Sequence, residues 1–259
     1  MKRLTALLAT AALALAPAAA LANPPAPTVV FAGASVALTS NVATLTATGA
    51  CAAGARMVLA SSTTASRNIT GITDTGGNTW ASVTGGFAGS NMYQQIWSAP
   101  ATTGLSVGNT ITVTYAATTT TAHFIVACQT GVTGVDATGK GNTGGLSTTE
   151  PRVGSNSASP PTSQARSFFA ATDNNNFSSV IPSTVTDPNS IGWTSISTVG
   201  TTDGMGLFYQ DNSAGATSTL QFNAGGANIQ WGIMWGALDF TGGGGGGTFT
   251  HMALTGAGK

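Results

Sequence analysis

The reading turns on residues 72–132, which run ITDTGGNTWASV (72–83), NMYQQIWSAP (91–100), NTITVTYA (109–116) and AHFIVACQTGV (122–132). In Thr110–Tyr115 the alternation is strict: Ile111, Val113 and Tyr115 point one way, Thr110, Thr112 and Thr114 the other. A period of two marks a strand with one buried face. Residues 122–128 are nearly continuous in apolar side chains, the pattern of a strand packed on both faces. Between the runs stand turn residues, Asp74 to Asn78 (DTGGN) foremost.

Working outward, short strand candidates lie at 29–31, 42–48 and 56–62, and 79–83 follows the Asp74 turn. Residues 85–89 (GGFAG) read as a loop, and 93–99 as a strand ended by Pro100. Further strands are expected at 166–172, 193–199, 206–211, 217–222 and 229–240. Residues 133–165 are rich in Gly, Thr and Pro, and one or two edge strands and a loop are expected there. No amphipathic helix pattern and no repeat of fixed period stand out. The class is all-β, an antiparallel two-sheet sandwich.

TDTGGNTW (73–80), IWSAP (96–100), NTITVTY (109–115) and HFIVACQTGV (123–132) resemble a recurrent β-sandwich module of secreted bacterial proteins. AGARMVL (53–59), IGWT (191–194) and the closing strand 229–240 extend the likeness over roughly 27–240. The resemblance implies a lectin-like or jelly-roll-like sandwich and carries over no catalytic residue. Cys128 departs from it, standing where the module usually has an acidic residue.

The start of the chain has its own pattern. Lys2 and Arg3 precede an apolar run, residues 4–16, and Ala20-Leu21-Ala22 follows. These are the parts of a secretory signal peptide cut before Asn23. The apolar run ends at Pro17, short of the ~20 residues a spanning helix needs. The expected organisation is a signal peptide (1–22), one sandwich domain (23–240), and a Gly-rich linker with a flexible tail (241–259), which contains six consecutive glycines, 242–247. Export favours pairing of the two cysteines, Cys51 with Cys128.

With only 6% charged residues and a formal net charge of zero, the chain lacks the Lys/Arg footprint that phosphate backbones require. Nucleic acid is therefore not an expected partner. Paired carboxylates for glycoside hydrolysis are hard to assemble from one glutamate, Glu150, and aspartates that sit mostly in turn contexts. His123 opens an apolar strand, His251 lies in the tail, and no GxSxG elbow is present. Two isolated histidines and two distant cysteines do not give zinc spacing. Calcium is the metal that loops such as Asp74–Asn78 and Asp173–Asn176 would hold, but both also read as plain turns. Trp80, just after the Asp74 turn, is the tryptophan best placed to be exposed as a sugar-stacking face, with Asp74 and Asn78 beside it; core packing is the competing reading.

The expected function is non-enzymatic: extracellular recognition or adhesion, with glycan or cell-surface material as partner. The alternative is a self-assembling subunit of a surface fibre or matrix, whose partner is copies of itself. A glycan hydrolase ranks third. No cofactor is expected. N-terminal sequencing of secreted protein should find Asn23 first; a retained Met1 would reject the cleavage.

Overall fold

The computed structural model describes residues 25–38, 40–63, 67–89, 92–118 and 121–135, and beyond these the strands 141–147, 165–174, 185–186, 194–200, 204–212, 221–222 and 229–240. The leader (1–22), its cleavage point and the tail (241–259) lie outside the described residues.

Among the described residues every regular element is a strand. The first eight are β1 (Thr28–Ala37), β2 (Val42–Thr46), β3 (Arg56–Thr63), β4 (Ile69–Asp74), β5 (Ala81–Gly89), β6 (Met92–Pro100), β7 (Thr110–Tyr115) and β8 (Thr121–Gln129). There follow β9 (Val132–Val135), β10 (Gly141–Ser147), β11 (Ala165–Asn174), β12 (Val185–Thr186), β13 (Thr194–Gly200), β14 (Gly204–Asn212), β15 (Gln221–Phe222) and β16 (Ile229–Phe240).

The first eight strands form one antiparallel ribbon rolled on itself. β1 pairs with β8, β2 with β7, and β3 with β6. Rolling the ribbon brings β3 beside β8 and β4 beside β7. The result is a five-stranded sheet, β1-β8-β3-β6-β5, facing a three-stranded sheet, β2-β7-β4. Nested pairing of first with last strand is jelly-roll winding. The departure is at the ribbon's tip, where β5 folds back on β6 instead of continuing β4's sheet. Residues 85–89, expected as a loop, therefore belong to a hairpin strand: Phe87, Ala88 and Gly89 lie opposite Gln94, Tyr93 and Met92. The backbone ladder supplied by β6 outweighs the poor strand propensity of glycine.

The alternation read in the sequence sets the faces. Ala43 and Leu45 on β2 and Ile111, Val113 and Tyr115 on β7 are buried. They pack on Met57 and Leu59 of β3 and Phe124 and Val126 of β8. The intervening residues of β3 and β8 are also buried. Val58, Ala60, Ile125 and Ala127 join a second core with Met205 and Leu207 of β14 and Met234 and Leu238 of β16. A third sheet, β10-β16-β11-β14-β13 with β9 also on β16, thus covers the other side of the five-stranded sheet. The class is all-β and antiparallel as expected, and the sandwich gains a layer. β10 edges this third sheet within the weakly patterned region where an edge strand was expected.

Polar bonds pin the two sheets of the first core together. The Tyr115 hydroxyl and Ser61 Oγ lie 2.8 Å apart, and Gln95 Oε1 accepts from the Ile69 amide. Tyr115 is 1% exposed, and burial pushes its phenol pKa well above the ordinary value, the Ser61 bond opposing slightly. Both folded and unfolded chains keep this proton below pH 10; above it only the unfolded chain loses it. Stability should therefore fall by about 1.4 kcal/mol per pH unit above pH 10 on this account. Urea unfolding of Tyr115→Phe between pH 8 and 11 should lack that slope, while losing about 1–3 kcal/mol at pH 8 because Ser61 is left without its partner.

Candidate functional site

The ribbon bends from one sheet to the other at a corner, and the corner carries the site. The β2–β7 ladder ends at Thr46 opposite Thr110, and the β3–β6 ladder begins at Arg56 opposite Pro100. Between them Cys51 and Leu105 form an isolated bridge, bonding amide to carbonyl both ways at 2.8 Å. Gly54 and Ala101 continue the pairing, with an N–H to O=C bond of 2.9 Å. Gly104 is required here: its φ is +72°, and a Cβ would stand 2.7 Å from the Cys51 carbonyl oxygen. Cys51 then bonds Cys128 at the end of β8, as the export context led us to expect. The two are 77 residues apart in sequence, so the loop-closure model gives about 4.5 kcal/mol of stabilisation.

Beside this corner lies the Asp74 turn, and it is a latch. Asp74 Oδ1 accepts the Asn78 amide at 3.1 Å, and Oδ2 accepts the Trp80 indole N–H at 2.7 Å. Asn78 Nδ2 donates to both carboxylate oxygens. The Thr103 hydroxyl donates to the Gly76 carbonyl at 2.5 Å, and the Thr103 amide donates to Asn78 Oδ1 at 3.4 Å. The turn thereby grips the 102–106 loop.

These bonds decide between the two readings of Trp80. Trp80 is 8% exposed and belongs to the first core, so its ring is not a surface stacking face. Asn78, 6% exposed, is also buried. The expected ligand-binding trio is therefore a structural unit; an indole needing a donor partner and a short turn needing an acceptor are satisfied together. Calcium at this turn would have to displace the N–H donors already on the carboxylate. The second calcium candidate, Asp173–Asn176, was expected as a turn, but Asp173 and Asn174 are the last two residues of β11 and pair with Trp231 and Gln230 of β16; 175–176 lie outside the described residues. Among the described residues, no group of three or more His, Cys, Asp or Glu side chains gathers.

What the latch does hold up is a pocket of about 570 Å³ at the corner. Thr28 and Pro25 wall it from the lead-in, Ala50–Ala53 from the bend, Thr103–Ser106 from the latched loop, and Thr130 from the end of β8. The disulfide-bonded Cys51 and Cys128 also line it. Hydroxyls, backbone groups and the Leu105 side chain make a mixed polar and apolar lining with no charged group. The sequence reading missed this site. Its one visible signal was the cysteine pair, which must bring the 50–53 and 128–130 segments together.

No family model matches the chain, and neither does any curated protein or solved structure. The resemblance to a secreted sandwich module remains an expectation.

Trp80→Ala should cost roughly 3–5 kcal/mol, as removal of a buried aromatic does. Trp80→Phe should cost less, about 1–3 kcal/mol, because it strips only one donor from Asp74. In a double-mutant cycle, Asp74→Ala with Trp80→Phe should cost less than the sum of the two single changes. Additive thermal or urea-unfolding losses would show that the indole–carboxylate bond is not coupling them.

Proposed function

We propose that this chain is an exported recognition protein that binds an uncharged polar ligand, a glycan, in the corner pocket without turning it over. The observation that carries the reading is the lining: hydroxyls and backbone polar groups around an apolar floor, with no acid, base or cation among them. Sugars are held by such neutral hydrogen-bonding groups together with apolar contact. The rigidity of the site supports the same reading. A disulfide, a positive-φ glycine and the Asp74 latch fix three loops on a packed scaffold, which lowers the ordering cost of binding. The cysteine pair and the leader pattern support export.

A second reading, a self-assembling fibre or matrix subunit, is favoured by the three-stranded sheet, where β2 and β4 are both terminal strands. Terminal strands present backbone groups to which another chain can add. Its outer face is a row of threonines, Thr44, Thr46, Thr110, Thr112 and Thr73 among them.

Mature protein on a glycan array should show selective binding. Ala52→Trp, which fills the pocket from an exposed position, should weaken it at least tenfold while leaving the melting temperature nearly unchanged. Filaments in negative-stain images with no array signal would favour the second reading. Hydrolysis of a bound glycan by the purified protein would overturn the non-enzymatic one.

A further inference from the structure

The third sheet repeats the winding of the first. Read along the five-stranded sheet, the order is β1-β8-β3-β6-β5; along the covering sheet it is β10-β16-β11-β14-β13. Strand by strand these take the same parts: the opening strand beside the closing one, then the third, the sixth and the fifth of the ribbon. β9 and β10 run in turn along β16, so together they fill the opening strand's place. The small β12–β15 pair corresponds to β4–β7.

The registers agree at the centre of the strands as well, although β5 carries a second shift, between Thr84 and Phe87, that β13 does not share. In the first half Ser82 lies opposite Trp97, the register then shifts, and Thr84 lies opposite Ile96. In the second half Ser195 lies opposite Phe208, the register shifts, and Ser197 lies opposite Leu207. The same bulge thus leaves out Val83 in one half and Ile196 in the other. Val58 lies opposite both Ser98 and Ala127; Phe168 lies opposite both Tyr209 and Gly236. Ile72 faces Val113 as Val185 faces Phe222. A bulge is a positional feature of a fold, and two unrelated sheets have no reason to share one.

A faint echo survives in the sequence. Thr73, Asp74, Trp80 and Ser82 recur at identical spacing as Thr186, Asp187, Trp193 and Ser195. Ala55-Arg56, which leads into β3, recurs as Ala165-Arg166 at the start of β11. The distance between matched residues changes along the chain, which is why no fixed period is visible.

The packing between the halves is reciprocal. β1 lies over β13, and its counterpart β10 lies over β5. β8 lies over β13 and β14, and its counterpart β16 over β5 and β6. β3 and β11, counterparts of each other, meet at the centre. The matched pairs Val83 and Ile196, Ile96 and Leu207, Ile125 and Met234 all lie in the one core between the sheets. Contacts in which i meets j′ while j meets i′ are the signature of a two-fold, isologous interface.

We infer that the described strands β1–β8 and β9–β16 repeat one winding, with no counterpart of β2 among the described residues of the second half, and that the face each copy buries is a self-complementary surface whose fitting partner is the other copy. The chain is an intramolecular dimer with a pseudo-two-fold axis near the crossing of β3 and β11. One half of each contact therefore predicts the other. A Cβ on Gly236 would lie 4.0 Å from the Val83 Cβ, within the separation a disulfide bridges. By symmetry Ala127 and Ile196, the counterparts of Gly236 and Val83, approach in the same way.

The test uses the full mature chain with Cys51 and Cys128 intact. Two double variants, Val83→Cys with Gly236→Cys and Ala127→Cys with Ile196→Cys, should both oxidise to a second disulfide, read by intact mass after alkylation. Val83→Cys with Ala127→Cys, whose positions share one sheet with two strands between them, should keep both thiols. Closure of the first pair with the second remaining open would overturn the two-fold, as would closure of the control. Should the cysteine pairs prevent folding, Ile96→Ala and Leu207→Ala replace them. Each should lower the same cooperative transition by about 5 °C or more; a main transition unmoved by Leu207→Ala would refute the shared interface.

Discussion

The five-stranded sheet has no solvent face along β3 and β8, and the rest of the molecule follows from that. Its central strands carry apolar side chains in both directions: Met57 and Leu59 toward one core, Val58 and Ala60 toward the other. Phe124 and Val126 alternate with Ile125 and Ala127 in the same way. Each large side chain so buried contributes about 1.5–3 kcal/mol relative to exposure. A sheet of this kind must be covered twice. The rolled ribbon supplies one cover from its own β2, β7 and β4, and the second half of the chain supplies the other.

The two covers differ in how they are attached. The β2-β7-β4 sheet is continuous with the ribbon and is fixed by polar bonds as well as packing, among them Tyr115 to Ser61 and Gln95 to the Ile69 amide. At the corner the Cys51–Cys128 bond, Gly104 and the Asp74 latch hold the bend. The second cover meets the sheet through an apolar core along reciprocal strands. An apolar, self-complementary surface buried within one chain avoids the concentration dependence that a dimer of separate copies would have.

This division bears on function. Among the described residues, the corner pocket lies at one end of the rolled ribbon, where the loops are held in place. The pocket there is neutral, part hydroxyl and part apolar, and its walls come from four separate segments of the first half. Such a site suits selective hold rather than proton transfer, which is the ground of the recognition reading. Its geometry depends on Asp74, Asn78 and Trp80 without those residues touching the cavity, so their chemistry supports the site from behind.

The sequence by itself determined the local order. The alternation of Thr110–Tyr115, the unbroken apolar run of 122–128 and the Asp74 turn appear in the structure as β7, β8 and the turn after β4, because each depends on near neighbours and on side-chain periodicity. The cysteine pair was legible for a similar reason, since only two are present. Partners were not legible. That 85–89 is strand, that Trp80 is buried against Asp74, and that loops at 25–28, 50–53, 103–106 and 130 form one pocket are facts of which segments meet. The doubled winding was hidden too, because its copies share strand order, register and a bulge while their loop lengths and most side chains differ. Periodicity tells a residue which face it takes; only the folded chain decides what that face is set against.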